Sequence, residues 1–153
     1  MSLQKLAGIL DKKGSLSVGF DNGKSGTGYY YEQIRISGDP EELELFKEEF
    51  GGSVSSNGLH CKRIWRVTSD KALNALKLMK PFIKIKKDTI NALIKFGDIR
   101  NTYGGVSIVN TKDYNQKREL FLNFASRFKQ AISESKSGEV KRLITEFSHR
   151  RRR

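Results

Sequence analysis

The sequence of 153 residues has little cysteine, proline or histidine: one Cys, two Pro and two His. A lone cysteine, Cys61, excludes an internal disulfide and a cysteine-rich zinc site, and it suits a reducing compartment. His60 and His149 are too few and too far apart in sequence to suggest a metal site. The sequence therefore predicts no bound metal from these residue types.

Long apolar runs are also missing, since no stretch of 18 or more apolar residues is present to suggest a membrane span. The first four residues lack the apolar core of a signal peptide and the Arg/Ser-rich pattern of a transit segment. We therefore expect an intracellular protein with no membrane partner. It would act in an organelle, mitochondrion or chloroplast, with the cytoplasm as the alternative.

Basic residues outnumber acidic ones, with 29 Lys and Arg against 17 Asp and Glu, which gives a net charge of +12. The excess is uneven, because residues 1–111 carry 17 basic and 12 acidic groups, whereas residues 112–153 carry 12 and 5. Six of the acids fall within residues 39–49, so one face is expected to be acidic and the positive charge to lie elsewhere. Such a distribution favours a polyanionic partner, and nucleic acid above all.

The hydrophobic periodicity predicts helices alternating with hairpins. Asp39-Pro40 is a helix start, Gly51-Gly52 a helix end, and Ser69 a helix cap. The predicted helices cover residues 3–12, about 40–50, 70–79, 87–99, 113–134 and 138–148, and the strands cover residues 15–21, 29–37, 53–57 and 60–68. The predicted fold class is α+β, an αββαββα sandwich with an antiparallel sheet and helices on one face.

Two segments carry a family resemblance. Leu6-Ala7-Gly8-Ile9-Leu10-Asp11-Lys12-Lys13-Gly14 resembles the signature of the LAGLIDADG homing endonucleases, and residues 76–87 resemble the helix, proline and basic turn found later in that family. Because only one such motif is present, the chain resembles the single-motif, dimeric branch of that family. With the element order, the resemblance covers about residues 3–100. It implies a LAGLIDADG-like domain at 1–111 and a helical C-terminal extension with a basic tail at 112–153.

The resemblance also implies roles at the motif, with one departure. The family's metal-binding acid is replaced by Lys13, which cannot ligate Mg²⁺. Asp11 matches a chiefly structural acid, Lys86 matches a basic residue near the active site, and a polar position near Gly38 is lost. No catalytic residue, metal or cofactor is therefore assigned, and Mg²⁺ enters only if the chain is an endonuclease after all.

The small residues Ala7 and Gly8 match the family's helix-packing interface, through which the chain could form a homodimer. In a symmetric dimer the two Lys13 side chains would approach each other and need an anion between them. Phosphate could supply that anion, and an unused interface is the alternative.

Strand alternation points to one polar sheet face on which the family contacts nucleic acid. Aromatic, Gln and Arg side chains there suit stacking and base or phosphate contacts, although tyrosines are also ordinary strand formers. Lys24 in a hairpin loop could equally be a solvated lysine. The predicted nucleic-acid-binding residues are Lys13, Lys24, Tyr29, Tyr31, Gln33, Arg35, Lys62, Arg63, Arg66, Lys86, Arg150, Arg151, Arg152 and Arg153.

These observations favour a catalytically inactive nucleic-acid-binding protein, with RNA preferred over DNA. It would be a structural component of a ribonucleoprotein such as an organellar ribosome, or an intron-splicing partner. The alternative is a homing endonuclease that cleaves double-stranded DNA as a homodimer or heterodimer.

Overall fold

The computed structural model describes residues 2–21, 29–56, 63–104 and 112–151. The predictions for Lys24, Lys62, Arg152 and Arg153 lie outside the described residues, as do the side chains of Arg150 and Arg151. The elements are α1 Leu3–Lys13, β1 Ser15–Asp21, β2 Tyr29–Gly38, α2 Pro40–Phe50, β3 Ser53–Ser56, β4 Arg63–Thr68, α3 Ser69–Met79, α4 Lys87–Ile99, α5 Lys112–Ser133 and α6 Ser137–Arg151. A 3₁₀ turn at Lys80–Phe82 precedes α4, and a π-helical turn at Arg100–Gly104 follows it. The predicted α+β order is confirmed.

The four strands form one antiparallel sheet in the order β1-β2-β4-β3. The register pairs Leu16 with Ile34 and Ile36 with Trp65, so apolar side chains meet on the face that the helices cover. Because successive strand residues point to opposite faces, the residues between them form a second, largely polar face. That second face is called the open face below.

Most helix ends lie within one residue of the predicted ones, whereas α6, predicted to end at residue 148, ends at Arg151. Asp39 and Pro40 begin α2, and Gly51 and Gly52, at φ 83° and 87°, end it in a conformation that favours glycine. The prediction that Ser69 caps α3 is wrong by one residue. Thr68 holds the cap position, while Ser69 is the first helical residue and has a φ of 59°.

The core lies between the sheet and the helices and continues into α5 and α6. Trp65 is fully buried, and its indole N–H donates a hydrogen bond to the Gly51 carbonyl at 2.8 Å. On α4, Phe96 stacks on Phe128 of α5 with ring centroids 4.8 Å apart. One apolar cluster thus crosses the proposed boundary between residues 111 and 112, and the division into 1–111 and 112–153 stays a prediction. None of the described helices is long and apolar enough to cross a membrane.

Candidate nucleic-acid interface and the end of the first helix

The open face carries the polar side chains of β2. Tyr29, Tyr31, Gln33 and Arg35 alternate with inward residues, as the sequence predicts. Tyr29 and Arg35 are exposed, Tyr31 is half-buried and Gln33 is buried. On β4, Arg66 lies on the same face because it alternates with the buried Trp65 and Val67. The structure therefore brings five of the predicted binding residues together, and their binding role stays a prediction.

Hydrogen bonds orient the centre of this face. One Arg66 nitrogen, Nη2, donates to the Tyr31 hydroxyl at 3.0 Å and to Gln33 Oε1 at 3.3 Å. The Tyr31 ring packs over Gly19 of β1, where an added Cβ would collide with it. Because Gly19 has no side chain, the Tyr31 ring can lie against β1. The Tyr31 hydroxyl and the Gln33 amide in turn hold the Arg66 guanidinium on the open face.

At the β1–β2 end of the face, the Tyr29 hydroxyl donates to Asp21 Oδ2 at 3.2 Å. The negative charge of Asp21 raises the pKa of the Tyr29 hydroxyl. The Tyr29 and Tyr31 rings lie 5.8 Å apart, centroid to centroid, so two aromatic surfaces stand side by side.

Two arginines face each other across the sheet, since Arg35 of β2 is the direct register partner of Arg66 of β4. Like charges in directly opposite positions destabilise a sheet. Among the described residues, neither guanidinium forms an ion pair with an acid. The two guanidinium groups therefore have no ion-pair partner among the described residues, and Asp21 is the acid at one end of the face.

Arg63 does not join this group. It shares the strand parity of Trp65 and Val67 and is paired with Gly38, so it belongs to the opposite side of the sheet. It is exposed and is the first residue of β4. The proximity of Arg63 to Arg66 in sequence does not place both on one face.

A backbone cradle holds Asp11 at the end of α1. Its buried carboxylate accepts N–H bonds from Lys84 at 2.9 Å, from Ile85 at 2.9 and 3.1 Å, and from Lys86 at 2.8 Å. The Lys86 ammonium also donates to the Asp11 carbonyl at 2.9 Å. Burial raises the pKa of the Asp11 carboxyl, but the three backbone donors outweigh burial and lower it. This acid ties α1 to the start of α4.

Lys13 ends α1 in an ion pair within the same chain. Its ammonium lies 3.3 Å from Glu42 Oε1, with the two side chains 53% and 24% exposed. A Cβ placed on Gly38 would be 3.5 Å from Glu42 Oε1 and 3.9 Å from Lys13 Nζ. The structure thus brings together positions 13 and 38, which the sequence singled out, and adds Glu42, which it did not.

This donor set does not fit Mg²⁺, the metal that the family resemblance implies. Mg²⁺ takes hard oxygen ligands in octahedral geometry. At the end of α1, both Asp11 oxygens already accept backbone N–H bonds, and the ammonium of Lys13 is held by Glu42. Within the described part of the chain, no group of three His, Cys, Asp or Glu residues is arranged to hold a metal.

The predicted packing residues of α1 differ in their surroundings. Ala7 is fully buried within the chain, so it is not available to another subunit. Gly8 is half-exposed, and no atom lies within 4 Å of where its Cβ would be. Only Gly8 therefore offers room for a second backbone.

Sequence reasoning missed one buried charge. Glu32 of β2 is fully buried, and its Oε1 lies 2.7 Å from Arg100 Nε, while Arg100 Nη2 lies 2.7 Å from Asp70 Oδ1. The second carboxylate oxygen, Oε2, has no hydrogen-bond partner among the described residues. Burial raises the pKa of Glu32 against the opposing effect of Arg100. The signal in the sequence was a glutamate at a position whose alternation predicts burial.

No protein-family model matches the sequence, and no curated protein sequence matches it. Solved structures do match. The homing endonuclease I-CvuI, solved in complex with its target in the presence of Ca, has a TM-score of 0.68 and 11% identity over 95% of this chain and 94% of that chain. The archaeal intron-encoded homing endonuclease I-Vdi141I, complexed with DNA, has a TM-score of 0.57 and 18% identity over 95% and 96%.

A third match is the I-SmaMI LAGLIDADG homing endonuclease bound to cleaved DNA. Its TM-score is 0.58 and its identity 20%, over 79% of this chain and 42% of that chain. Identities this low establish the fold alone. The chain has the LAGLIDADG homing-endonuclease fold, which confirms the resemblance drawn from the sequence.

Proposed function

We propose that this chain binds nucleic acid on the open face of its sheet and does not cleave it at the end of α1. The observation that carries the proposal is the cross-strand pair of Arg35 and Arg66, neither of which forms an ion pair with an acid among the described residues. A phosphate backbone laid on this face would supply the missing negative charge.

The side chains around the two arginines suit nucleic acid better than an isolated small anion. Tyr29 and Tyr31 offer neighbouring aromatic surfaces on which bases can stack. Gln33 is buried and holds Arg66 by its side-chain oxygen, and an arginine held in this way can contact guanine with two hydrogen bonds. Because Tyr31 and Gln33 already orient Arg66, part of this arrangement exists before a ligand arrives.

The absence of cleavage is supported by the end of α1. Lys13 stands where the family resemblance places the metal-binding acid, and Glu42 compensates its charge within the chain. Asp11 cannot replace the lost acid without breaking its bonds to Lys84, Ile85 and Lys86. The proposal therefore assigns no cofactor.

The ligand class that we propose is RNA, in a ribonucleoprotein such as an organellar ribosome or in intron splicing, inside an organelle or the cytoplasm. The support is the net charge of +12 and the four arginines at residues 150–153. Non-specific electrostatic binding of this kind grows with the number of phosphates that Lys and Arg contact.

Duplex DNA is the second candidate. I-CvuI, I-Vdi141I and I-SmaMI were all solved bound to DNA, which favours it. In that case the chain would act as an endonuclease in a homodimer or heterodimer. It would need its metal-binding acid from somewhere other than position 13.

Fluorescence anisotropy with a labelled random duplex DNA and a labelled structured RNA tests the proposal. Replacing Arg35 and Arg66 together with Gln is expected to weaken binding of the preferred ligand by roughly tenfold or more. The matched control is Lys77→Gln with Arg142→Gln, which removes the same charge from residues that are paired with acids elsewhere. Equal affinity of the two double variants would contradict the assignment of the open face.

The same ligands, incubated with Mg²⁺ and the natural chain, test the second half of the proposal. We expect intact ligand after prolonged incubation at saturating protein. Site-specific, Mg²⁺-dependent cleavage that survives in the control variant would overturn the non-cleaving assignment and establish the endonuclease.

A further inference from the structure

A polar cavity opens at one end of the open face, where the end of β1, the start of β3 and the first turn of α3 come together. It is called the corner cavity below. Its volume is about 400 Å³, and it is lined from all four strands and from α3. Cavities of about 300–1,000 Å³ are typical of sites for small molecules. The corner cavity therefore has room for one nucleotide but not for a stack of base pairs.

Two cations line the corner cavity, Arg66 and Lys71. The Tyr31 hydroxyl holds Arg66 there, since it accepts a hydrogen bond from Arg66 Nη2 at 3.0 Å. Lys71 lies across Gly51, because a Cβ on this glycine would be 3.2 Å from Lys71 Cδ and 3.5 Å from Lys71 Nζ. Neither cation forms an ion pair with an acid among the described residues. The corner cavity thus offers two positive groups to one anion.

The corner cavity also presents an aromatic ring to a ligand. The ring of Tyr31 packs over Gly19 and its hydroxyl is bonded to Arg66, whereas Tyr29 is 46% exposed. In a duplex, the faces of each base are covered by the neighbouring bases. Only an unstacked base can therefore lie flat on the ring of Tyr29.

An acid completes the lining of the corner cavity. Asp21 accepts a hydrogen bond from the Tyr29 hydroxyl at 3.2 Å, so a negative charge lies beside the aromatic ring. A bare phosphate ion in the cavity would meet this carboxylate as well as the two cations. A nucleotide separates its phosphate from the N–H and O–H donors of its base and sugar, and so it matches a cavity that holds both signs of charge.

We propose that the corner cavity holds one unpaired nucleotide of a bound strand, with its phosphate at Arg66 and Lys71 and its base on Tyr29. This inference rests on the proposed binding of nucleic acid to the open face and deepens it. It selects strands that have a bulge, a loop or a free end over a continuous duplex.

Fluorescence anisotropy with three labelled RNA hairpins of one stem sequence tests the inference. The first stem is fully paired, the second has a single-adenosine bulge, and the third has an abasic bulge at the same place. An unpaired base needs little unstacking and gains a contact with the ring, so the natural chain should bind the adenosine bulge roughly tenfold more tightly than the paired stem. The abasic bulge also bends easily but lacks the base, so it should bind within roughly twofold of the paired stem.

Two variants address the corner cavity itself. Lys71→Gln removes one of its cations. Ser53→Phe fills it without a change of charge, because Ser53 is exposed and is the register partner of Arg66. Each variant should abolish the preference for the adenosine bulge. The matched control is Lys95→Gln, which removes an exposed lysine that, like Lys71, forms no ion pair with a described acid, and it should keep the preference in full.

Arg35→Gln separates this inference from the proposed function. Arg35 lies on the open face but is not part of the lining of the corner cavity. Its replacement should therefore weaken all three RNAs alike and leave the preference for the adenosine bulge unchanged. Unaltered affinity of Arg35→Gln for every RNA would contradict the proposed function, whereas a missing preference would contradict only the inference about the corner cavity.

Three results would overturn the inference. One is equal affinity of the natural chain for the adenosine bulge and the abasic bulge, since the base would then make no contact. Another is a preference that survives in both Lys71→Gln and Ser53→Phe when circular dichroism shows them to be folded. The last is Lys71-dependent binding of free adenosine monophosphate without any preference for the bulged RNA, which would assign the cavity to a free nucleotide.

Discussion

Replacing Asp11 with Asn tests whether the cradle at the end of α1 holds the fold together. The amide keeps the size of the carboxylate but offers only one oxygen. Since Lys84 donates to one carboxylate oxygen and Lys86 to the other, either orientation of the amide leaves one of these N–H groups without an acceptor. The remaining bonds also lose the help of a negative charge.

The expected loss of unfolding free energy follows from the unpaired N–H group and the missing negative charge. An unsatisfied buried donor costs about 1–3 kcal/mol, and weakening the charge-assisted bonds adds to it, so Asp11→Asn should lower the free energy of unfolding by about 2–4 kcal/mol. Asp11 also lies in the last turn of α1, where a negative charge is unfavourable by about 0.3–1 kcal/mol. That opposing term is too small to cancel the loss, so we expect net destabilisation.

Urea unfolding at pH 7 measures the effect, with Asp98→Asn as the matched control. Asp98 pairs with Lys77 at 3.0 Å, but the two side chains are 57% and 49% exposed. An exposed pair of this kind contributes about 0–1 kcal/mol. If Asp11→Asn costs no more than this control does, the cradle is not a stabilising element and the reasoning is refuted.

The pH dependence provides an independent check. The pKa of Asp11 is lowered in the folded chain, so its stabilisation is present above the ordinary value of 3.8 and is lost as the pH falls through the lowered value. The difference between the natural chain and Asp11→Asn should therefore be constant near neutrality and shrink in strong acid. A difference that grows as the pH falls would contradict the direction of the shift.

Two further predictions concern the buried carboxylate under the sheet. In Gly97→Ala, the new Cβ would collide with Glu32 and lie 2.7 Å from Leu73 Cδ1. We expect this variant to lower the free energy of unfolding, measured in urea, by about 1–3 kcal/mol. The control Gly138→Ala has open space around its new Cβ and should not destabilise the chain. Glu32→Gln should flatten the dependence of stability on pH. Because the pKa of Glu32 is raised in the folded chain, the natural chain should lose stability as the pH rises above the ordinary value of 4.5. An unchanged slope of unfolding free energy against pH in Glu32→Gln would contradict this.

The fold could be predicted from sequence because its signals are local. Alternation in residues 15–21 and 29–37 and the Asp39-Pro40 and Gly51-Gly52 boundaries each depend on neighbouring residues, and all appear in the structure. The π-helical turn at Arg100–Gly104 was not predicted. No local pattern distinguishes such a turn from the end of an ordinary helix.

The interactions that define the candidate site could not be predicted, because each joins residues far apart in sequence. Asp11 binds the backbone of residues 84–86, and Lys13 pairs with Glu42. Periodicity assigns a side chain to a face but does not give its partner. It correctly set Arg66 on the open face, whereas Arg63 lies on the opposite side because an odd separation of three residues along a strand reverses the face.

The salt dependence of nucleic-acid binding tests the central claim most directly. The slope of log K against log [salt] counts the phosphates that the chain neutralises, at about 0.9 per contact for duplex DNA and 0.7 for single strands. If Arg35 and Arg66 each contact a phosphate, replacing both with Gln should make the slope shallower by about two contacts, while the control variant with Lys77 and Arg142 replaced keeps the natural slope. Identical slopes for all three proteins would show that the nucleic acid lies elsewhere and would contradict the account.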